Sequence, residues 1–230
     1  MNAEAEVMDV ERARFNMVEQ QIRPWRVLDA LILESHLRLR REDFVPPALR
    51  KLAFCDVEIP LLVDGRDSGE RMLAPKVDAR LVQALELGRD DHVLEVGTGS
   101  GWMAALLGSR AARVMSVERH PALAAFARDN LARAGLGHVE VIHADASAPK
   151  VLEGSAWDAI VLSGSVEQVP AALLATLKPG GRMALIVGRR PVMSAQLLTR
   201  DDSGPPRVVN LFETLAPALH GFARPSHFQL

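Results

Sequence analysis

Val93-Leu94-Glu95-Val96-Gly97-Thr98-Gly99-Ser100-Gly101 is the most informative stretch of the chain. A short β-rich run, His92–Val96, enters three glycines at alternate positions, and a helix follows through Leu107 until Gly108 stops it. Glycine allows a sharp strand-to-helix turn and leaves no Cβ between the backbone and an approaching ligand. One glycine would be enough for the turn, so three point to a bound group. Glu95 is an acid within an apolar strand, where a carboxylate is costly to bury unless it is paired or hydrogen-bonded.

Outward from this stretch, strands and helices alternate. Val77, Leu81, Ala84 and Leu85 mark a preceding helix. Arg113–Val117 reads as a strand ending at Glu118, and Pro121 opens a helix to about Ala134 with Leu123, Ala127 and Leu131 on one face. Val139–Ile142, Asp158–Leu162 and Arg182–Val187 read as strands, with a helix over Pro170–Leu177. The runs 195–199 and 207–213 form a closing strand pair around Asp201-Asp202-Ser203-Gly204. This alternation predicts a doubly wound α/β sheet, with the glycine turn beside the switch point where ligands bind.

The first 55 residues lack that alternation. Val10, Ala13, Met17 and Ile22 give an amphipathic helix over 9–23 that Pro24 stops, and a second helix fits Val27 to about Leu39. Arg38, Arg40 and Arg41 read as a solvated face. Pro46-Pro47 opens a short third helix to about Phe54, and Cys55 reads as an inert buried thiol. Residues 60–75 have no clear period; Asp64-Gly65-Arg66-Asp67-Ser68-Gly69 is turn chemistry, so a functional loop is expected here. The domain division is 1–75, a helical cap with the loop, and 76–230, the sheet domain, as one compact unit.

Composition narrows the classes. The chain has 230 residues, 27 Lys plus Arg against 29 Asp plus Glu, one Cys and no Tyr. One Cys cannot close an intramolecular disulfide or build a Cys-rich metal site, and no His pair at ligand spacing suggests a metal. The net charge of −2 gives no reason to expect nucleic acid. No apolar run approaches the ~18 residues of a membrane span, and the acidic start Met1-Asn2-Ala3-Glu4-Ala5-Glu6 is unlike a signal peptide. A cytoplasmic protein, monomer or homodimer, is expected.

Glycines alone do not name the ligand. The dinucleotide fingerprint is Gly-x-Gly-x-x-Gly, whereas here the spacing is Gly97-x-Gly99-x-Gly101. Glu118, at the end of the next strand, can accept hydrogen bonds from both ribose hydroxyls, a role common to NAD and S-adenosylmethionine. Asp145-Ala146 can meet an adenine edge. Leu177-Lys178-Pro179-Gly180-Gly181-Arg182 reads as a helix end, a glycine turn and a new strand. Trp102 reads as core packing beside the glycine turn, and His143 as a strand-end residue.

Together these residues resemble the class I S-adenosylmethionine-dependent methyltransferases. Within that class, Met17-Val18-Glu19-Gln20-Gln21-Ile22-Arg23, Phe44-Val45-Pro46, Ala53-Phe54-x-Asp56-x-x-Ile59-Pro60 and Val96-Gly97-Thr98-Gly99-Ser100-Gly101-Trp102 resemble the protein-L-isoaspartate O-methyltransferases, over about residues 12–213. The stretch Leu219-His220-Gly221-Phe222-Ala223-Arg224-Pro225 looks like a divergent bacterial branch. The resemblance implies a Rossmann-like seven-stranded sheet, mostly parallel with one antiparallel strand, and an N-terminal helical subdomain. It implies S-adenosyl-L-methionine as cofactor, leaving as S-adenosyl-L-homocysteine. Gly97, Thr98, Gly99 and Gly101 would cradle the methionine part, Glu118 would hold the ribose, and Asp145 and Ala146 would face the adenine. Glu95, Arg119 and Ser163 complete the implied cofactor set, and no metal is implied.

The chain departs from the family in one place. The family carries Gly-Gln-Thr-Ile-Ser-Gln-Pro over the active site, and here Gly69-Glu70-Arg71-Met72-Leu73-Ala74-Pro75 stands there. Arg71 replaces the Thr and Leu73 the active-site Ser. Carboxyl methylation needs no general base, because a carboxylate is already ionised at pH 7; the missing Ser is therefore a missing hydrogen-bond donor. Two arrangements stay open: Arg71 pairs with a substrate carboxylate, or it faces solvent while Leu73 packs inward. The acceptor would be an L-isoaspartyl carboxylate in a damaged protein or peptide. The alternatives are a small-molecule carboxylate or oxygen acceptor, a homologue that binds cofactor without catalysis and, least favoured, an NAD-dependent oxidoreductase.

Overall fold

The computed structural model describes residues 3–148, 152, 154–201 and 203–224, with side chains from residue 9 onward. Met1 and Asn2 of the acidic start, Asp202 of the 201–204 turn and Pro225 lie outside the described residues, as do the side chains of Ala3, Glu4, Ala5 and Glu6.

The sheet domain follows the expected alternation. Its elements are α3 (Pro75–Leu85), β3 (His92–Val96), α4 (Trp102–Gly108), β4 (Arg113–Glu118), α5 (Pro121–Arg133), β5 (Glu140–His143), β6 (Trp157–Val166), α6 (Ala171–Ala175), β7 (Leu177–Arg189), β8 (Val192–Thr199) and β9 (Arg207–Glu213). The seven strands pair in the order β5-β4-β3-β6-β7-β8-β9, and β8 runs antiparallel to both neighbours. The expected seven strands with one antiparallel member are present. Alternate side chains serve opposite faces: Val93, Val161 and Ala184 join the helices α3–α5, while Leu94, Ile160, Leu162 and Leu185 pack with Leu173 of α6. The glycine stretch Lys178–Gly181 is not a separate turn but a bulge at the start of β7, where the register jumps between Trp157↔Leu177 and Ala159↔Arg182.

The N-terminal third is helical up to residue 52, in the elements α1 (Ala3–Met17), a π-helical turn Val18–Ile22, a 3₁₀ turn Arg23–Trp25 that contains Pro24, α2 (Ala30–Arg38), and 3₁₀ turns at Arg41–Asp43 and Pro47–Leu52. Met17, Val18 and Ile22 share one apolar cluster with Val77, Leu81 and Leu85, so the cap rests on α3. Among the described residues no helix is long and apolar enough to cross a membrane.

Three further expectations are corrected. Residues 60–75 are not an aperiodic loop: β1 (Ile59–Val63) and β2 (Arg66–Met72) form an antiparallel hairpin. Asp64 and Gly65, at φ 50° and 75°, make a two-residue turn whose twist suits paired strands. Arg41 is not on a solvated face but fully buried, whereas Arg38 and Arg40 are exposed as expected. Cys55 is exposed rather than buried, because it follows the short 3₁₀ turn on the surface.

Candidate active site

β3 ends between β4 and β6, so the chain leaves it where the order of strands reverses. Gly97 and Gly99 have φ of 92° and 54°, a region open to glycine and strained for other residues. A Cβ on Gly99 would lie 3.0 Å from Leu61 Cδ1, and one on Gly97 would lie 2.8 Å from Leu219 Cδ2. The bare backbone is therefore covered by β1 from one side and by the segment after β9 from the other.

Beneath the turn lies a hydrogen-bonded chain. Glu95 is fully buried; its Oε2 accepts from Ser116 Oγ at 2.6 Å and its Oε1 from Ser163 Oγ at 2.7 Å. Ser116 Oγ in turn meets Thr98 Oγ1. Burial pushes the Glu95 pKa up to about 8, against the pull of both hydroxyls. The acid flagged in the strand is thus satisfied by serines on the two neighbouring strands. The Thr98 hydroxyl is thus engaged below the turn.

Glu118 ends β4 and is nearly buried. Its Oε2 accepts from Gly99 N at 2.9 Å and its Oε1 from His120 N at 2.8 Å. These contacts aim the carboxylate at the glycine turn and leave further lone pairs for hydroxyl donors. Asp145 follows β5, and the Ser147 hydroxyl and N–H donate to its Oδ1 at 2.6 and 2.9 Å, holding its pKa below the ordinary value.

These residues line one open cleft of about 580 Å³. Gly97, Gly99, Glu118, Arg119, Asp145, Ala146 and Ser163 form its floor and sides, and Arg71 stands at its edge. An inner chamber adjoins it, lined by Arg71, Leu73, Asp78, Glu95, Thr98 and Ser163. Gly101 belongs to neither. Its Cβ would lie 3.3 Å from Ala127 Cβ and Leu131 Cγ, so this third glycine lets α4 pack against α5.

The two readings of the 69–75 stretch resolve into a mixture. Leu73 packs inward and is almost fully buried. The Arg71 side chain is 35% exposed at the cleft edge and pairs with Asp67 at 3.4 Å. Arg41 holds this region from below. It donates to Leu73 O at 2.8 Å, Ala53 O at 3.1 Å and Asp78 Oδ2 at 3.1 Å, and its guanidinium lies 5.2 Å from the Trp102 ring. Trp102 is core, as expected, and also stacks edge-on against Phe44. Burial lifts the Asp78 pKa to about 7 despite Arg41.

The roof of the cleft carries no motif in the sequence. Residues 216–224 form a strap across the end of β6: Ser165 N donates to Pro217 O at 2.7 Å and Leu219 N to Ser165 O at 2.8 Å. The strap lays Leu219 over Gly97 and Gly164, and Pro217 to His220 and Phe222 line the cleft. His220 Nε2 lies 3.7 Å from Glu70 Oε1 on β2, so hairpin and strap meet over the opening. Burial pushes the Glu70 carboxyl up, partly offset by His220. Gly221 was the available signal: at φ 90°, its Cβ would lie 2.6 Å from Ser147 Oγ, so only glycine lets the strap approach the Asp145 turn.

A mostly parallel sheet with an acid-flanked glycine turn at its switch point defines this as a Rossmann-like methyltransferase fold. Comparison with known proteins narrows the class. A model of the protein-L-isoaspartate(D-aspartate) O-methyltransferase family matches residues 12–213. Protein-L-isoaspartate O-methyltransferases of Methanoculleus marisnigri and Koribacter versatilis are 39% and 35% identical, over 78% and 85% of this chain and 79% and 84% of theirs. A solved protein-L-isoaspartate O-methyltransferase superposes with a TM-score of 0.73 over 92% of this chain and 66% of its own, at 23% identity. A Plasmodium falciparum protein assigned to the same enzyme class, solved with S-adenosyl-L-homocysteine, superposes with a TM-score of 0.71 over 90% of this chain and 97% of its own, at 16% identity. The chain belongs to the protein-L-isoaspartate O-methyltransferase family. The family match ends at residue 213, so the strap lies beyond it.

Proposed function

We infer that this protein is an S-adenosylmethionine-dependent carboxyl methyltransferase that acts on L-isoaspartyl residues of damaged proteins and peptides in the cytoplasm. Family membership weighs against a small-molecule acceptor, a non-catalytic cofactor binder and an NAD enzyme. The observation that carries the inference is the convergence of Gly97, Gly99, Glu118, Asp145 and Arg71 on one cleft.

The residues fit the cofactor: the turn has no Cβ where a ligand must approach, and one acid ends β4 while another follows β5, both able to accept from an adenosine's donors. Bound S-adenosylmethionine supplies an electrophilic sulfonium methyl group. Glu118 holds the ribose, Asp145 and Ala146 meet the adenine, and the backbone of Gly97 to Gly99, buttressed by Glu95, Ser116 and Ser163, receives the methionine part. Arg119 borders the same cleft. The 1–75 segment acts as a cap whose hairpin closes on the strap and keeps water out. Arg71 orients the acceptor carboxylate by a charge-assisted pair in place of the family's hydroxyls. No general base is needed for an acceptor ionised at neutral pH.

Methyl transfer to an isoaspartyl peptide, with the aspartyl peptide as control, tests this. Transfer is expected only to the former. Arg71→Ala should raise the KM for peptide by roughly ten- to a hundredfold, the worth of one charged hydrogen bond, while the affinity for S-adenosylhomocysteine holds. Cofactor binding by calorimetry without transfer above the control would sink the inference.

A further inference from the structure

Beside the cofactor cleft lies a second hollow of about 670 Å³, and Ala218, Leu219 and Phe222 of the strap form the wall between the two. Arg189 and Arg190, at the turn from β7 to β8, and Arg224, at the end of the strap, stand on its rim, with Glu167 as the acid of its lining. Three guanidinium groups stand against two carboxylates, Glu167 in the lining and Glu58 beside Arg190, a local positive excess in a chain of net charge −2. Their ion pairs are long. Arg190 is 3.9 Å from Glu58 and Arg224 is 3.8 Å from Glu167, and these arginine side chains are 57% and 63% exposed. Contacts beyond hydrogen-bonding range give way to a carboxylate that can be gripped directly and bidentately.

The hollow also reaches the acceptor side through charge. Glu58, shifted up by burial, is pulled down by both Arg190 and Arg71. Arg190, 3.9 Å from Glu58, thus lies beside a carboxylate that also feels Arg71 of the cofactor cleft.

We propose that this arginine-rimmed hollow is a subsite for acidic residues flanking the methyl-accepting residue of a protein or peptide substrate, and that Arg189, Arg190 and Arg224 select acidic over basic flanks. This rests on the methyl-transfer function inferred above. A peptide whose acceptor carboxylate lies at Arg71 continues beyond it in both directions, and the wall of Ala218, Leu219 and Phe222 leads one arm into the hollow. An acidic side chain there meets two or three guanidinium groups, whereas a lysine meets repulsion, which discriminates as strongly as attraction does.

The experiment uses three isoaspartyl peptides that differ only in the residues flanking the acceptor on both sides: Glu, Gln or Lys. The order of kcat/KM should be Glu, then Gln, then Lys, with the extremes about tenfold apart at low salt and closer at high salt. In an Arg189→Ser, Arg190→Ser variant the Glu-to-Lys ratio should shrink several-fold; because the ratio is what is read, a general loss of activity does not mimic the effect. Equal rates for the three peptides, a preference for Lys, or an undiminished ratio in the variant would each overturn the proposal. If no peptide is methylated, the inferred activity fails instead. The hollow is then judged by anisotropy of the labelled peptides on the protein with S-adenosylhomocysteine, where Glu flanks must still bind tighter than Lys flanks.

Discussion

Replacing Arg41 by Met should cost far more stability than replacing its partner Asp78 by Asn. Arg41 is fully buried and is bound to Asp78, Leu73 O and Ala53 O. Met fills the stem but orphans two carbonyls, and breaking a buried pair by removing one partner costs about 3–5 kcal/mol. Asp78 limits that loss, because a carboxyl with a pKa of about 7 escapes by taking up a proton. Asp78→Asn leaves both carbonyl bonds of Arg41 and offers an amide oxygen to the third, so it should cost only about 1–2 kcal/mol. The pH dependence has a definite sign. A carboxyl whose folded pKa lies above its ordinary 3.8 contributes stability that is full below that value and is lost as pH rises through about 7. Wild type should therefore lose stability between pH 5 and 8 by a contribution that Asp78→Asn lacks, and the cost of Asp78→Asn should shrink with rising pH. Urea unfolding of the two variants and wild type across this range measures all three quantities. Equal costs at pH 7, or a cost of Asp78→Asn that grows with pH, would mean a firmly ionised Asp78 and refute the reasoning.

Three further outcomes are expected. Glu95→Gln should flatten the dependence of Tm on pH, because burial lifts Glu95 from 4.5 to about 8 and the folded state then loses about 1.4 kcal/mol per pH unit across that window; parallel curves for wild type and variant would contradict this. Gly101→Ala should cost about 2–4 kcal/mol in unfolding through left-handed strain and crowding against Ala127 and Leu131, yet leave the affinity of folded protein for S-adenosylhomocysteine unchanged. Gly99→Ala should weaken that affinity in calorimetry, and matching effects of the two would place both glycines in one role. Gly221→Ala should lift the strap and speed amide exchange at Leu219 N, which bonds to Ser165 O; unchanged exchange would show that Asp145 and Ser147 tolerate the methyl group.

The seven strands were legible because their signals are local. Val93 to Val96, Asp158 to Leu162 and Arg182 to Val187 carry their own β-rich runs and turn residues, and no distant contact is needed to recognise them. The hairpin Ile59–Met72 was obscured by Pro60 inside its first strand, although Asp64-Gly65 carried the hairpin signal in the open. Arg41 was illegible for a different reason: it sits among exposed arginines in sequence, and the partners that bury it are 12 to 37 residues away.

The glycine motif separates what a motif can and cannot say. Gly97, Gly99 and Gly101 look equivalent in sequence and share a left-handed backbone, yet the first two face the cleft and the third faces a helix. Thr98, between them, turns its hydroxyl into the protein. A motif specifies backbone conformation, which depends on neighbouring residues; which atom meets a ligand depends on what the fold brings alongside. The same distinction divides the site. Its floor is built from short local motifs, the glycine turn and the acids that end β4 and follow β5, which sequence alone brings to one cleft. Its roof is built from Arg71 on a hairpin and Leu219 and His220 on a strap beyond the family match, joined through Glu70 rather than through sequence proximity. In the function proposed above, the acceptor is chosen at this roof. Exchanging the 66–72 and 216–224 segments with those of a relative should therefore change which peptides are methylated while leaving cofactor affinity in place.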